Sequence, residues 1–188
     1  MKRIFISLLL AVCTICMAQT QHMKFKGVPM EGSIREFANQ LSKKGFTSLG
    51  VDNGVALLSG EFASYKGCTI GAVSDQSGMV CKVVVIFPEM DKWGDLEHCY
   101  MIFKSMLSEK YGKPKECTEL FQDKYVDDDS DRLYAVKFDQ CKYISAFTGD
   151  NGEIKLEITH QRMSCFVRLT YYDNANQEAL RKQIMEDL

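Results

Sequence analysis

Apolar residues along this chain recur at two spacings. Ile34, Phe37, Ala38 and Leu41 fall on one face of a helix, and Ser33 with Glu36 forms an S-x-x-E capping box at its start. Lys43 and Lys44 sit in its last turn, where the helix dipole favours cations, and Gly45 suits the left-handed position that ends it. A second helix is expected over about residues 91–111, with Leu96, Tyr100, Phe103 and Leu107 on one face and Gly112 and Pro114 stopping it. Between the helices, strands are expected at Phe46–Val51, Val55–Leu58, Lys66–Val73 and Met79–Phe87. The last of these, with Val83, Val84, Val85, Ile86 and Phe87 in succession, is the strongest strand signal in the chain. Asp52-Asn53-Gly54 and Asp75-Gln76-Ser77-Gly78 supply turns. After the second helix, strands are expected at Glu116–Gln122, Arg132–Phe138, Lys142–Thr148, Glu153–His160 and Cys165–Tyr172, with a turn at Asn151-Gly152. Asn174 or Asn176 then caps a last helix carrying Leu180, Ile184 and Leu188 on one face.

The order of elements suggests a plan used twice. Phe37, Leu41, Ser42 and Lys44 match Phe103, Leu107, Ser108 and Lys110 at a spacing of 66. Ile70, Ala72 and Gly78 match Ile144, Ala146 and Gly152 at a spacing of 74, and Ser74 against Thr148 is conservative. An eight-residue insertion near the acidic stretch Asp127–Asp131 accounts for the difference. The expected fold class is therefore α+β, in two similar halves over residues 19–90 and 91–188. Each half is a helix on an antiparallel sheet of about four strands, and a C-terminal helix follows.

The first 18 residues have a different character. Lys2 and Arg3 precede an apolar run from Ile4 to Met17, too short to span a bilayer, and Ala18 offers a small residue for cleavage. Residues 1–18 thus read as a secretory signal peptide, with the mature chain starting near Gln19 in the periplasm or outside the cell. A lipobox would need Gly, Ala or Ser before its cysteine; Val12 precedes Cys13 and Ile15 precedes Cys16. Losing Lys2 and Arg3 with the leader takes the formal charge from −2 to −4, which leaves no basic excess for nucleic acid. No later stretch is apolar and long enough for a membrane helix.

Cys68, Cys81, Cys99, Cys117, Cys141 and Cys165 remain after the leader. An even number in an exported chain permits disulfides, in any of 15 pairings, while their apolar neighbours suit buried free thiols equally. Among these six there is no CxxC for zinc or thioredoxin-type redox chemistry. His98-Cys99 is the one adjacent His/Cys pair, but helical neighbours point apart and do not activate each other. His22, His98 and His160 have no metal-ligand spacing. Asp127-Asp128-Asp129-Ser130-Asp131 lacks the order of an EF-hand and reads as a solvated loop between strands. No GxSxG, P-loop or dinucleotide motif occurs, so no catalytic, cofactor or metal residue is nominated. Trp93, Tyr171 and Tyr172 are the candidates for ligand contact. Trp93 can also staple the second helix to the sheet, and the two tyrosines point to opposite sides of one strand.

Two resemblances follow from these residues. The leader ending Ala18-Gln19, the Phe25-Lys26-Gly27-Val28-Pro29 segment and the helix-then-hairpins order resemble uncharacterised exported bacterial proteins. The tandem helix-plus-four-strand plan is similar to the beta-lactamase inhibitor protein fold, which presents a concave sheet surface. That fold carries a helical pair before each sheet where this chain shows one helix, and no inhibitor motif matches residue by residue. The expectation is an exported, non-catalytic binding or interaction module for an unknown protein or small ligand, with no cofactor. A small periplasmic hydrolase or thiol enzyme, and a structural component of envelope assembly, are the alternatives.

Overall fold

The computed structural model describes residues 21–122, 128–176, 181 and 185. The expected leader, Asp127, and Leu180, Ile184 and Leu188 of the last helix lie outside them.

The first element among the described residues is a two-stranded hairpin of β1 (Lys24–Phe25) and β2 (Val28–Pro29). Helix α1 (Ile34–Lys43) begins at the expected capping box: the Ser33 hydroxyl accepts from the Glu36 amide, and the Glu36 carboxylate accepts from the Ser33 amide. Its apolar face, Ile34, Phe37, Ala38 and Leu41, is buried. Replacing Ser33 by alanine removes one side of this cap and is expected to cost about 1 kcal/mol in urea denaturation. A meander of β3 (Thr47–Asp52), β4 (Val55–Phe62), β5 (Tyr65–Ser74) and β6 (Val80–Ile86) follows. Asn53 and Gly54 both take positive φ, 46° and 74°, and turn β3 tightly into β4.

Helix α2 (Trp93–Tyr111) is nearly twice as long as α1, and β7 (Glu116–Phe121) comes after it. Then the structure departs from expectation. Residues 132–137 are helical, within α3 (Asp129–Lys137), not a strand, and Phe138 is the helix's C-cap. The Asp128 carboxylate caps α3 by accepting from the Asp131 amide, and Asp129 and Asp131 place negative charge in its first turn. From Asp128 to Asp131, the acidic residues that read as a loop are a helix start. Strands β8 (Cys141–Gly149), β9 (Gly152–Gln161) and β10 (Ser164–Asp173) complete the chain's sheet.

The expectation of two similar halves, each with its own sheet of about four strands, is overturned. Eight strands form one antiparallel sheet in the order β3-β4-β5-β6-β10-β9-β8-β7. The last strand, β10, inserts beside β6, with Leu169 opposite Val85 and Tyr171 opposite Val83. A single row of residues crosses the sheet through Leu58, Ile70, Val85, Leu169, Leu156 and Ser145. Both α1 and α2 pack over this face and form one continuous core. A four-stranded half would leave β6 and β10 as apolar edges; pairing them removes both edges at once.

Turn chemistry differs from expectation at one place. Asn151 alone takes positive φ in the β8–β9 turn, and Gly152 does not. Gly152 is needed for close approach instead: a Cβ there would collide with the Tyr172 carbonyl and with the Met23 side chain.

Candidate functional site: an uncovered sheet face and an aromatic cleft

Side chains alternate across a strand, so the rows beside the core row point away from α1 and α2. One such row holds Leu57, Gly71, Val84, Thr170, Lys155 and Ala146. The next holds Thr69, Ile86, Arg168, Glu157 and Ile144. An antiparallel sheet with one solvated face normally shows polar residues there. Here the second half of β6 is apolar on both sides: Val83 and Val85 are buried in the core, while Val84 and Ile86 are partly exposed on the far face, beyond Lys82. Leu57 on the same face is 45 % exposed. Beside this strip, Glu157 is almost fully buried and holds two cations, Arg168 Nε at 2.9 Å and Lys155 Nζ at 2.9 Å. The Arg168 guanidinium is thereby fixed in place next to Ile86.

On the helix side, a cleft of about 1320 Å³ opens between the β1–β2 hairpin, the C-terminal end of α2 and the β8–β9 turn. Its aromatic lining comes from Phe25, Phe62, Tyr111 and Tyr171. Phe25 stacks on Phe62 with ring centres 5.6 Å apart and meets Tyr171 edge-on at 5.3 Å. Burial, with a smaller contribution from Tyr111, pushes the Tyr171 hydroxyl above the usual phenol range.

The three nominated aromatic residues go to three places. Trp93 is 1 % exposed and packs against Phe121 and Tyr143, as a staple between α2 and the sheet. Tyr171 lines the cleft. Tyr172 lies on the far face, opposite Lys82 of β6. The structure does not bring them into one site. Phe62, Lys110 and Tyr111 of the cleft were missed, because they are distant in sequence and follow no spacing rule; the Phe25-Lys26-Gly27 turn was the one local signal.

Among the described residues, the six cysteines are all unbridged. His98 is exposed while Cys99 points into the core, so that pair does not form. Burial raises the Cys99 thiol to about 11 and the Cys141 thiol to about 12. Cys117 is exposed on edge strand β7, accepting from Ser145 Oγ and donating to Glu119 Oε1, each at 3.6 Å. Lys104 of α2 pairs with Glu119, and burial sets the Tyr100 hydroxyl, bonded to Ser145 Oγ at 2.6 Å, above its ordinary range. These groups satisfy one another. In native thiol labelling at pH 8, Cys117 is expected to react first, with Cys99 and Cys141 slower by at least about a hundredfold, as neutral thiols above their ambient pH. Fast labelling of Cys99 would restore the thiol-enzyme alternative. Unfolded thiols ionise near 9, below the folded value of about 11 for Cys99. The stability they contribute is therefore intact below pH 9 and lost as pH rises through 11, so the urea midpoint should fall across that window.

Among the described residues no group of three or more His, Cys, Asp and Glu side chains is placed to hold a metal ion, and no helix is long and apolar enough to cross a membrane. Comparison with protein-family models, with curated proteins and with solved structures finds no match.

Proposed function

We propose that this chain is an exported, non-catalytic module that binds another protein through the sheet face opposite α1 and α2. One observation carries the reading: from Val83 to Ile86, β6 is apolar on both sides, yet α1 and α2 cover only one of them. Apolar side chains left partly exposed on a sheet face, as Leu57, Val84 and Ile86 are, mark an interaction site when rimmed by polar residues. Seven inter-strand spacings of about 4.8 Å make the face roughly 34 Å wide. Such breadth fits a protein surface and is far more than a small molecule covers. The pre-ordered Arg168, held by Glu157, supplies a charged anchor beside Val84 and Ile86 of the kind that concentrates binding energy.

The decisive variant is Val84→Glu with Ile86→Glu. Both side chains are partly exposed, so folding is expected to stay within about 1 kcal/mol of the parent. Pull-down from extracts of the exported fraction should yield a stoichiometric partner with the parent chain and none with the variant. Hydrogen exchange of the complex should then be slowed in β5, β6 and β10. Equal capture by both chains, or protection confined to α2, would overturn the reading.

A further inference from the structure

Asp52-Asn53-Gly54 and Asp150-Asn151-Gly152 are the same tripeptide at two turns, and they are the two places where glycine follows asparagine. A glycine in that position, with no Cβ in the way, lets its backbone nitrogen reach the asparagine Cγ. The nitrogen must be free to swing, so the surrounding turn controls the reaction. With the local sequence identical, the fold sets the two sites apart.

Asn151 is guarded. The Asn174 amide donates to the Asn151 carbonyl at 3.0 Å and ties the turn to the end of β10. Alternation along the strand then aims the Gly152 amide at β8, where Gly152 faces Gly149. Gly152 is buried, so close to the Tyr172 carbonyl and the Met23 side chain that a Cβ would not fit. Asn53 has no such guard. It is exposed, and β3 is an edge strand, paired on one side only and irregular between Ser48 and Gly50. The Gly54 amide donates to no acceptor among the described residues. The Gly54 carbonyl is fixed, accepting from the Ser74 amide at 2.8 Å and from Ser74 Oγ at 3.2 Å, so Asn53 is the residue that gives when the turn opens. One exposed hydrogen bond holds its side chain, from Nδ2 to Asp52 Oδ2 at 2.9 Å.

We propose that Asn53 is a site of spontaneous deamidation, and that the fold protects Asn151 from the same reaction. The Gly54 nitrogen attacks Asn53 Cγ and closes a succinimide ring. The Cγ–Nδ2 bond breaks, and ammonia leaves with the proton of the Gly54 amide. Water then opens the ring at either carbonyl, giving isoaspartate or aspartate. Both products put a carboxylate beside that of Asp52, so a hydrogen bond becomes a like-charge contact at the outer corner of the sheet. Isoaspartate also adds a backbone carbon to a turn whose twist matched its strands. The β3–β4 hairpin therefore loosens as the protein ages.

The purified chain, held at mildly alkaline pH and sampled by peptide mass mapping, tests this. The Asn53 peptide should gain one mass unit and yield isoaspartate at least about tenfold faster than the Asn151 peptide, because local opening is cheaper at a sheet edge. In urea, where only sequence acts, the two rates should agree within about twofold. Asn53→Gly keeps a residue that the turn accepts and should abolish the acidic species that accumulates on ion exchange. Equal rates at the two sites in the folded chain would overturn the proposal. So would an Asn53 that stays intact over a period in which the unfolded chain converts.

Discussion

Trp93→Ala is expected to lower the stability of this protein by about 3–5 kcal/mol, the range for emptying a large aromatic site in a packed core. Trp93 is 1 % exposed, and its ring meets Phe121 at 4.9 Å and Tyr143 at 5.0 Å, both edge-on. Tyr143 in turn meets Tyr100 at 5.6 Å, so one residue supports the contact of α2 with β7 and β8. Trp93→Phe keeps an aromatic body there and should cost clearly less. Urea denaturation followed by circular dichroism measures both, since the substitution removes the chain's single tryptophan and with it the fluorescence signal. A loss below about 0.5 kcal/mol for the alanine variant would mean that the side chain is a surface group and not a staple.

Asp173→Ala is the second substitution with a large expected effect, about 2–4 kcal/mol. The Asp173 carboxylate is fully buried and accepts three hydrogen bonds: from the Met23 amide at 2.6 Å, from His22 Nδ1 at 3.0 Å and from the Asn176 amide at 3.0 Å. Asn176 continues the junction by donating to the Met30 carbonyl at 3.1 Å and the Val80 carbonyl at 2.6 Å. Removing the carboxylate strands the Met23 and Asn176 amides, both of whose hydrogen bonds are buried. The loss should appear as a lower urea midpoint and as faster hydrogen exchange at the Met23 and Asn176 amides. Unchanged exchange at both would show that the junction does not depend on Asp173.

Local rules carried the sequence reading where the physics is local. The Ser33–Glu36 capping box, the apolar face of α1 and the Asn53-Gly54 turn depend on residues within one turn of each other, and the structure has all three. Arg132–Phe138 failed because Leu133, Ala135 and Val136 give no clean period, whereas the Asp128 cap and the acidic first turn decide for helix. The pairing of β6 with β10 left no mark that a scan along the chain can find, since Val85 and Leu169 are 84 positions apart. The same distance effect hid the cleft. Tyr171 was named for its residue type and its place on a strand, but Phe62 and Lys110 become neighbours of it only through the tertiary fold. The valine run of β6 was read as a strong strand; that it is also too apolar for a half-solvated strand becomes visible once the sheet has a covered and an uncovered side.

The place of β10 in the sheet has a consequence for how the chain is made. Synthesis releases β6 long before β10 exists to pair with it, so through most of translation its valines stand as an open edge. Contacts this remote in sequence form slowly, and an unpaired apolar edge invites association with other chains in the interval. The newborn polypeptide therefore depends on being kept apart from its siblings until residue 173 has emerged, and a helper that holds unfolded chains would act on β6 before anything else.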